Sequence, residues 1–369
     1  MEPSAVPFRW CRGEARVGIT DGWEPPAAEA LTMVFSRRVL QTRPTPDTAV
    51  VLVVLGVLVG AAVTGFVLNS ATFSDADGFA DAGRVLLSSH WQHTYSNSWL
   101  QAGPFEQIVC LLARTLGITA RGEPPVLNVV GAAALMAATR IVVGRDWRSL
   151  LFVGAGATAL GIISDLYAIG HPSELLIALV WLFAARAARR DALLLAGLLV
   201  GLSAGFETWG LLGAPILFLL PSLRRTVSAG VLAAATASAI YLPFALGGDF
   251  HMFDLHWGIA SEVEVRLFGR DQAFTWQMRI AEALIVVGVG SLLALAIRNR
   301  TSACIWIVPA TTSLLRVVLD PVRYPYYWDT ALTLTLIGVA PLLTAPRLFV
   351  EDLRRHLVLP TRHPPVPVD

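Results

Sequence analysis

The sequence predicts an all-α fold: a polytopic transmembrane helix bundle of about 10–11 spans, with a long first outer loop carrying amphipathic interfacial helices. Three observations predict it. The 369 residues are 55% hydrophobic and only 15% charged, against about 25% charged in a soluble globular protein. Mean hydropathy is +0.61. Apolar runs of membrane-crossing length recur along the chain, and the turns between them alternate between basic and acid-, His- and aromatic-rich.

Residues 1–47 read as a polar, Pro-containing cytoplasmic tail without structure, ending in Arg37, Arg38 and Arg43; Met33 is an alternative start. Ala49–Leu68 carries no charge and is too long for a secretory signal's apolar core, so it reads as an uncleaved signal anchor. Further charge-poor runs lie at about 124–143, 149–169, 172–188, 191–207, 208–221, 226–245, 280–297, 301–319 and 328–345. One set of turns holds Arg140/Arg145/Arg148, Arg186/Arg189/Arg190, Arg224/Arg225, Arg298/Arg300 and Arg347/Arg354/Arg355. Placing these in the cytoplasm gives ten spans over 48–345, outer loops at 70–105 and 247–277, and a cytoplasmic tail at 346–369. Pro104–Ile118 is amphipathic, shorter than a span and carries Glu106 and Arg114. It is expected to be re-entrant or interfacial, because a crossing there would move the Arg140–Arg148 cluster outside and make eleven spans. The basic residues are all Arg, which with the Ala, Val, Leu and Gly richness points to a GC-rich bacterial genome and a multi-pass protein of the bacterial inner membrane.

Several function classes are excluded or disfavoured. A net charge of +1 without a basic, aromatic-interleaved patch leaves no nucleic-acid footprint. Cys11, Cys110 and Cys304 have neither zinc spacing nor a disulfide framework. No Gly-x-Ser-x-Gly or His-Glu-x-x-His occurs. Glycines four apart, at Gly56/Gly60 and Gly197/Gly201/Gly205, predict close helix packing, as does Gly154-Ala-Gly156 within a span.

The polar residues concentrate on the predicted outer face. Five of the seven histidines (His90, His93, His171, His251, His256) fall there, as does Asp320-Pro-Val-Arg323-Tyr324-Pro-Tyr326-Tyr327-Trp328-Asp329. Asp165, Glu174 and Glu207 sit at outer ends of apolar runs, where an ionisable group is costly and marks a cavity or an interfacial carboxylate. After the first span come Asp75 and Asp77, then a stretch in which Phe79, Ala82, Val85 and Leu86 share a helical face suited to the membrane surface. A carboxylate there sits where a lipid-borne head group would lie. It can serve as general base towards a hydroxyl, or with its neighbour hold a divalent cation (Mg2+ or Mn2+) against a phosphate. Arg323 among Tyr324 and Tyr326 suits a phosphate or a snorkelling interfacial role; His256 is a weaker phosphate candidate.

The order Asp75, Phe79, Ala82-Gly83-Arg84, a Leu-Leu pair, Tyr95 and Gly103-Pro104-Phe105 after a first span resembles the first outer loop of the GT-C superfamily, in particular the polyprenyl-phosphate-mannose-dependent glycosyltransferases of family 87. Gly170-His171-Pro172-Ser173-Glu174, followed by a span, a basic turn and Ala196-Gly197-Leu-Leu-Val-Gly201-Leu, is similar to a second pattern of that family. The likeness covers roughly 50–220, and Glu207-Thr-Trp209 departs from it where relatives often carry a basic residue. It implies inverting transfer of a sugar from a polyprenyl-phosphate donor to a lipid or glycan acceptor at the outer membrane face. Asp75 then takes the place of the base, with Asp77 beside it; by their own chemistry and place, His171, Glu174, His256, Arg323, Tyr324 and Tyr326 are the candidates to bind substrate or phosphate. The rival readings are a membrane transporter, which calls for ionisable groups near mid-span, and a catalytically silent lipid-binding envelope protein.

Overall fold

The computed structural model describes residues 46–68, 75–117, 126–144, 146–168, 170–258, 273–298, 305–322, 324–344 and 346. Met1–Thr45 lies outside the described residues, as does nearly all of the predicted C-terminal tail.

The described chain is almost wholly helical: α1 Pro46–Leu68, α2 Asp75–Leu86, α3 Pro104–Thr115, α4 Val126–Val143, α5 Trp147–Ala159, α6 Ile162–Ala168, α7 Pro172–Arg189, α8 Leu193–Ser203, a 3-10 helix Thr208–Leu219, α9 Leu223–Gly247, α10 Trp276–Ile297, α11 Ile307–Leu319 and α12 Trp328–Thr344. Two two-residue strands, β1 Trp257–Gly258 and β2 Ala273–Phe274, pair antiparallel.

Four of these helices, α1, α4, α9 and α10, are long and apolar enough to cross a membrane. Val51, Leu55, Val59 and Val63 on α1 are more than half exposed, as are Leu284 and Leu292 on α10. Exposed apolar stripes of this length suit hydrocarbon rather than water. Other predicted spans are built differently. The run at 149–169 breaks into α5 and α6 at Gly161, whose φ of +86° lies in the region that favours glycine. α8 has 11 residues, about 16 Å of rise, half a hydrocarbon core.

The segment at 208–219 is a 12-residue 3-10 helix, long for that geometry. Pro215 removes one backbone donor, while Gly210 and Gly213 let the segment press against Ser203 and the Trp181 ring. The Gly210 carbonyl accepts from Trp181 Nε1 (3.0 Å) and Ser203 Oγ (2.8 Å), side-chain bonds that help satisfy it there.

The predicted glycine packing divides. Gly197 and Gly201 meet the α9 backbone at Ala229 and Ala233, and Gly154 meets Val57 of α1. Gly56 and Gly60 face open space, so they make no close contact.

The turns sort into two groups. Arg186 donates to the Ile141 carbonyl, Arg189 to the Arg298 carbonyl, and Arg225 pairs with Asp191, so these basic turns meet. The acid- and aromatic-rich turns gather elsewhere. α3 packs on α2, with Gly83 against the Gln107 carbonyl and Leu111. The buried face of α2 is therefore Ala76, Phe79, Ala80 and Gly83, rotated from the surface-facing stripe the sequence predicts because α3 covers it. At 12 residues, α3 spans about 18 Å, too short to cross.

Candidate functional site

The site forms because two short segments are stitched together by backbone. Gly103 N donates to the Phe206 carbonyl (2.6 Å) and Phe105 N to the Gly205 carbonyl (2.8 Å), with Ala102 bridged to Glu207. A Cβ at Gly103 would run into the Gly205 and Phe206 backbone, so only glycine permits the approach. The Ala102 carbonyl also accepts from Gln107 Nε2 (2.9 Å) and from the buried Tyr95 hydroxyl (3.2 Å). This stitch brings Glu106, on the first turn of α3, next to Glu207, which follows α8.

Gly170, with φ +82°, turns the chain after α6 so that His171 caps α7 at the same place. His171 Nε2 lies 2.9 Å from Asp75 Oδ2 at the start of α2. The imidazole stacks on Tyr326 at 4.1 Å and 13°, and meets the Phe79 ring edge-on at 5.2 Å. Its Nδ1 faces Glu207 Oε1 at 3.7 Å and Glu106 Oε1 at 4.0 Å. Glu207 is held by Ser173 Oγ (2.9 Å) and Trp209 Nε1 (2.7 Å).

Burial opposes charge on His171, but the Asp75 hydrogen bond and the Glu207 and Glu106 carboxylates outweigh it, pushing its pKa up to about 10. Burial, with the neighbouring Glu207 charge, raises the Glu106 carboxyl well above the ordinary range. Three carboxyl groups thus surround one imidazole.

In front of this cluster opens a pocket of about 550 Å³ lined by Asp75, Phe79, Trp99, Gln101, His171, Glu207, His256, Trp257, Tyr324 and Tyr326, among others. The second long loop forms its far wall. That loop docks on the first through Asp249 N to the Gln92 carbonyl (2.9 Å), His251 N to the Tyr95 carbonyl (2.9 Å) and Gln101 Nε2 to the Met252 carbonyl (2.7 Å). Arg279 braces the wall, stacking on Trp257 (4.3 Å) and Phe274 (5.1 Å) while pairing with buried Asp320 at 3.0 Å.

Of the residues singled out in sequence, Asp75, His171, His256, Tyr324 and Tyr326 line this pocket. Asp77 points elsewhere: two residues on along the helix, it is mostly exposed and faces Arg114, whose guanidinium also pairs with Asp81 at 2.9 Å. Asp75 and Asp77 therefore do not form a paired cation site. Glu174 lies behind the cavity wall rather than on it. It is fully buried against Arg316 Nη1 (3.1 and 3.4 Å) and Thr330 Oγ1 (2.5 Å), with the Arg316 guanidinium between the Trp209 and Tyr327 rings at 3.8 and 4.4 Å. Arg323 lies outside the described residues, as does the run 259–272.

Sequence reasoning passed over Arg316, Glu106, Trp257 and Gln101 as site residues. Arg316 had a signal, being a lone charge inside an apolar run. Glu106 was hidden in a short amphipathic helix whose buried face cannot be known until α2 covers it. No protein-family model, no curated protein and no solved structure matches this chain. Fold and site define a multi-helical protein with four described helices long and apolar enough to cross a membrane and an acid- and aromatic-lined pocket at the meeting of its loops.

Proposed function

We propose that the chain is an integral-membrane glycosyltransferase of the GT-C kind. It moves a sugar, mannose or another hexose or pentose, from a polyprenyl-phosphate donor to a cell-envelope lipid or polysaccharide. In this reading the chain makes ten passages of the bacterial inner membrane with both ends in the cytoplasm, and the pocket opens on the outer face. The observation that carries it is Asp75: a part-exposed carboxylate inside an aromatic-lined pocket, fixed through Oδ2 by His171 with Oδ1 left for a second partner.

An inverting displacement needs one base and no acid on a phosphate leaving group. The acceptor oxygen attacks the anomeric carbon as its proton passes to Asp75 Oδ1, and the bond from that carbon to the phosphate oxygen breaks with its electron pair. Trp99, Trp257 and Tyr324 offer flat faces for sugar rings, and His256 a donor for phosphate. The transporter reading has less behind it. Its best candidate group, the Glu174–Arg316 pair, is closed by Thr330 and two aromatic rings, as a structural pair would be.

Membranes incubated with radiolabelled polyprenyl-phosphate mannose, and with other polyprenyl-phosphate sugars in parallel, test the reading. Asp75→Asn is expected to lower consumption by about a hundredfold or more while the protein inserts and accumulates normally. Full activity in that variant removes Asp75 as base; no consumption of any donor by the wild type removes the activity.

A further inference from the structure

Glu106 is fully buried, and its carboxylate has little to hold it. Oε1 has only the Ser173 amide at 3.4 Å, and Oε2 makes no hydrogen bond. His171, also buried, presents a second orphan. Its Nε2 is committed to Asp75, and its Nδ1 makes no hydrogen bond, being 3.7 and 4.0 Å from two carboxylate oxygens. Buried polar atoms are rarely left like this, because each forfeits its hydration without replacement. One donor atom each from Glu106, His171 and Glu207 lie within 4.8 Å of one another.

We propose that Glu106, His171 and Glu207 bind one first-row divalent cation, Zn2+ or Mn2+. The donor set argues for this class. An imidazole nitrogen disfavours Mg2+ and Ca2+, while two carboxylates and no thiolate suit a borderline ion. Donors bound at about 2.0–2.2 Å around a tetrahedral ion lie about 3.3–3.6 Å apart, so donor atoms within 4.8 Å of one another need to close by up to about 1.5 Å. The second partners are already in place. Asp75 accepts from Nε2, so a cation that displaces the Nδ1 proton completes a carboxylate–His–metal relay; Tyr326 fixes the ring plane; Ser173 and Trp209 orient Glu207. A cation here also offsets the excess of carboxylates over cations in the cluster. Its binding does not rest on the glycosyl-transfer reading. If that reading holds, the ion adds positive charge at the back of the pocket that receives a phosphate.

The test uses the full chain purified in detergent, stripped with a chelator, dialysed against Zn2+ or Mn2+ and assayed for bound metal. About one ion per chain is expected for one of the two, with an upward shift of the thermal unfolding midpoint on adding it. Glu106→Gln keeps the shape of the side chain and should lower bound metal at least about tenfold and abolish the thermal shift, with an unchanged gel-filtration profile. Wild-type protein that retains no ion, or a Glu106→Gln chain that retains as much as wild type, overturns the proposal. Should Glu106→Gln fail to accumulate, Co2+ added to stripped wild type decides. Visible absorption of a bound Co2+ that excess Zn2+ bleaches is expected, and its absence overturns the site. No readout involves a sugar, so failure here and failure of the transferase reading are separately seen.

Discussion

His171 Nε2 lies 2.9 Å from Asp75 Oδ2, joining two residues 96 positions apart. Asp75 has its backbone in the first turn of α2 and would otherwise be an ordinary helix-start carboxylate facing water. The imidazole holds it towards the pocket. His171→Gln is therefore expected to leave Asp75 present but poorly aimed. Sugar transfer should fall on the order of tenfold to a hundredfold, mostly in kcat, less than for Asp75→Asn. Radiolabel transfer rates over a range of donor concentrations check this; a larger effect than Asp75→Asn at equal protein level would make His171 the primary group.

The Glu174–Arg316 pair should show its burial in stability. Arg316→Met leaves an uncompensated carboxylate at a site with no solvent exposure, costing about 3–5 kcal/mol. Glu174→Gln combined with Arg316→Met should recover most of that loss, since no buried charge then lacks a partner. Thermal unfolding of the purified variants in detergent, arranged as a double-mutant cycle, reads the coupling; additive losses would show that the two side chains act independently.

Two glycines should respond in opposite directions to the same substitution. Gly103→Ala puts a Cβ into the Gly205–Phe206 backbone and should destabilise by about 1–3 kcal/mol, dulling the site as the stitch opens. Gly56→Ala on α1 meets nothing within 4 Å and should be neutral or stabilising by about 0.5–1 kcal/mol through helix propensity. Unfolding midpoints of the pair measure the contrast, and equal shifts would contradict the backbone account.

Sidedness is checked by labelling. Single cysteines at Asn97 and Asn299, in a background without the native cysteines, should react with a membrane-impermeant reagent from opposite sides of intact cells and inverted vesicles. Labelling from the same side would overturn the passage count on which the outer-face pocket depends.

Hydropathy was enough to read an all-helical chain with helices suited to a membrane, four of them long and apolar enough to cross, because hydrocarbon imposes apolar runs of a set length whatever the packing. The position of Asp75 after a first apolar helix and the turn Gly170-His171-Pro172 were equally legible, since glycine and proline announce local backbone. What the runs could not announce was their internal form. The break at Gly161, the short α8 and the 3-10 helix at Thr208–Leu219 depend on which carbonyls neighbouring side chains satisfy, and Trp181 and Ser203 act across helices. Asp77 shows the same limit in reverse: its sequence place beside Asp75 suggested a pair, but helical periodicity sends the two to different faces.

By itself, then, the sequence determined where the chain can enter a membrane and which polar residues gather at its loops. Only the tertiary structure decided that Glu106, His171 and Glu207 converge, that Glu174 pairs with Arg316, and that Asp75 pairs with His171 rather than with Asp77. The reason is physical: apolar length and turn chemistry are local, whereas the state of a buried charge is set by groups within a few ångströms that the chain delivers from a hundred residues away.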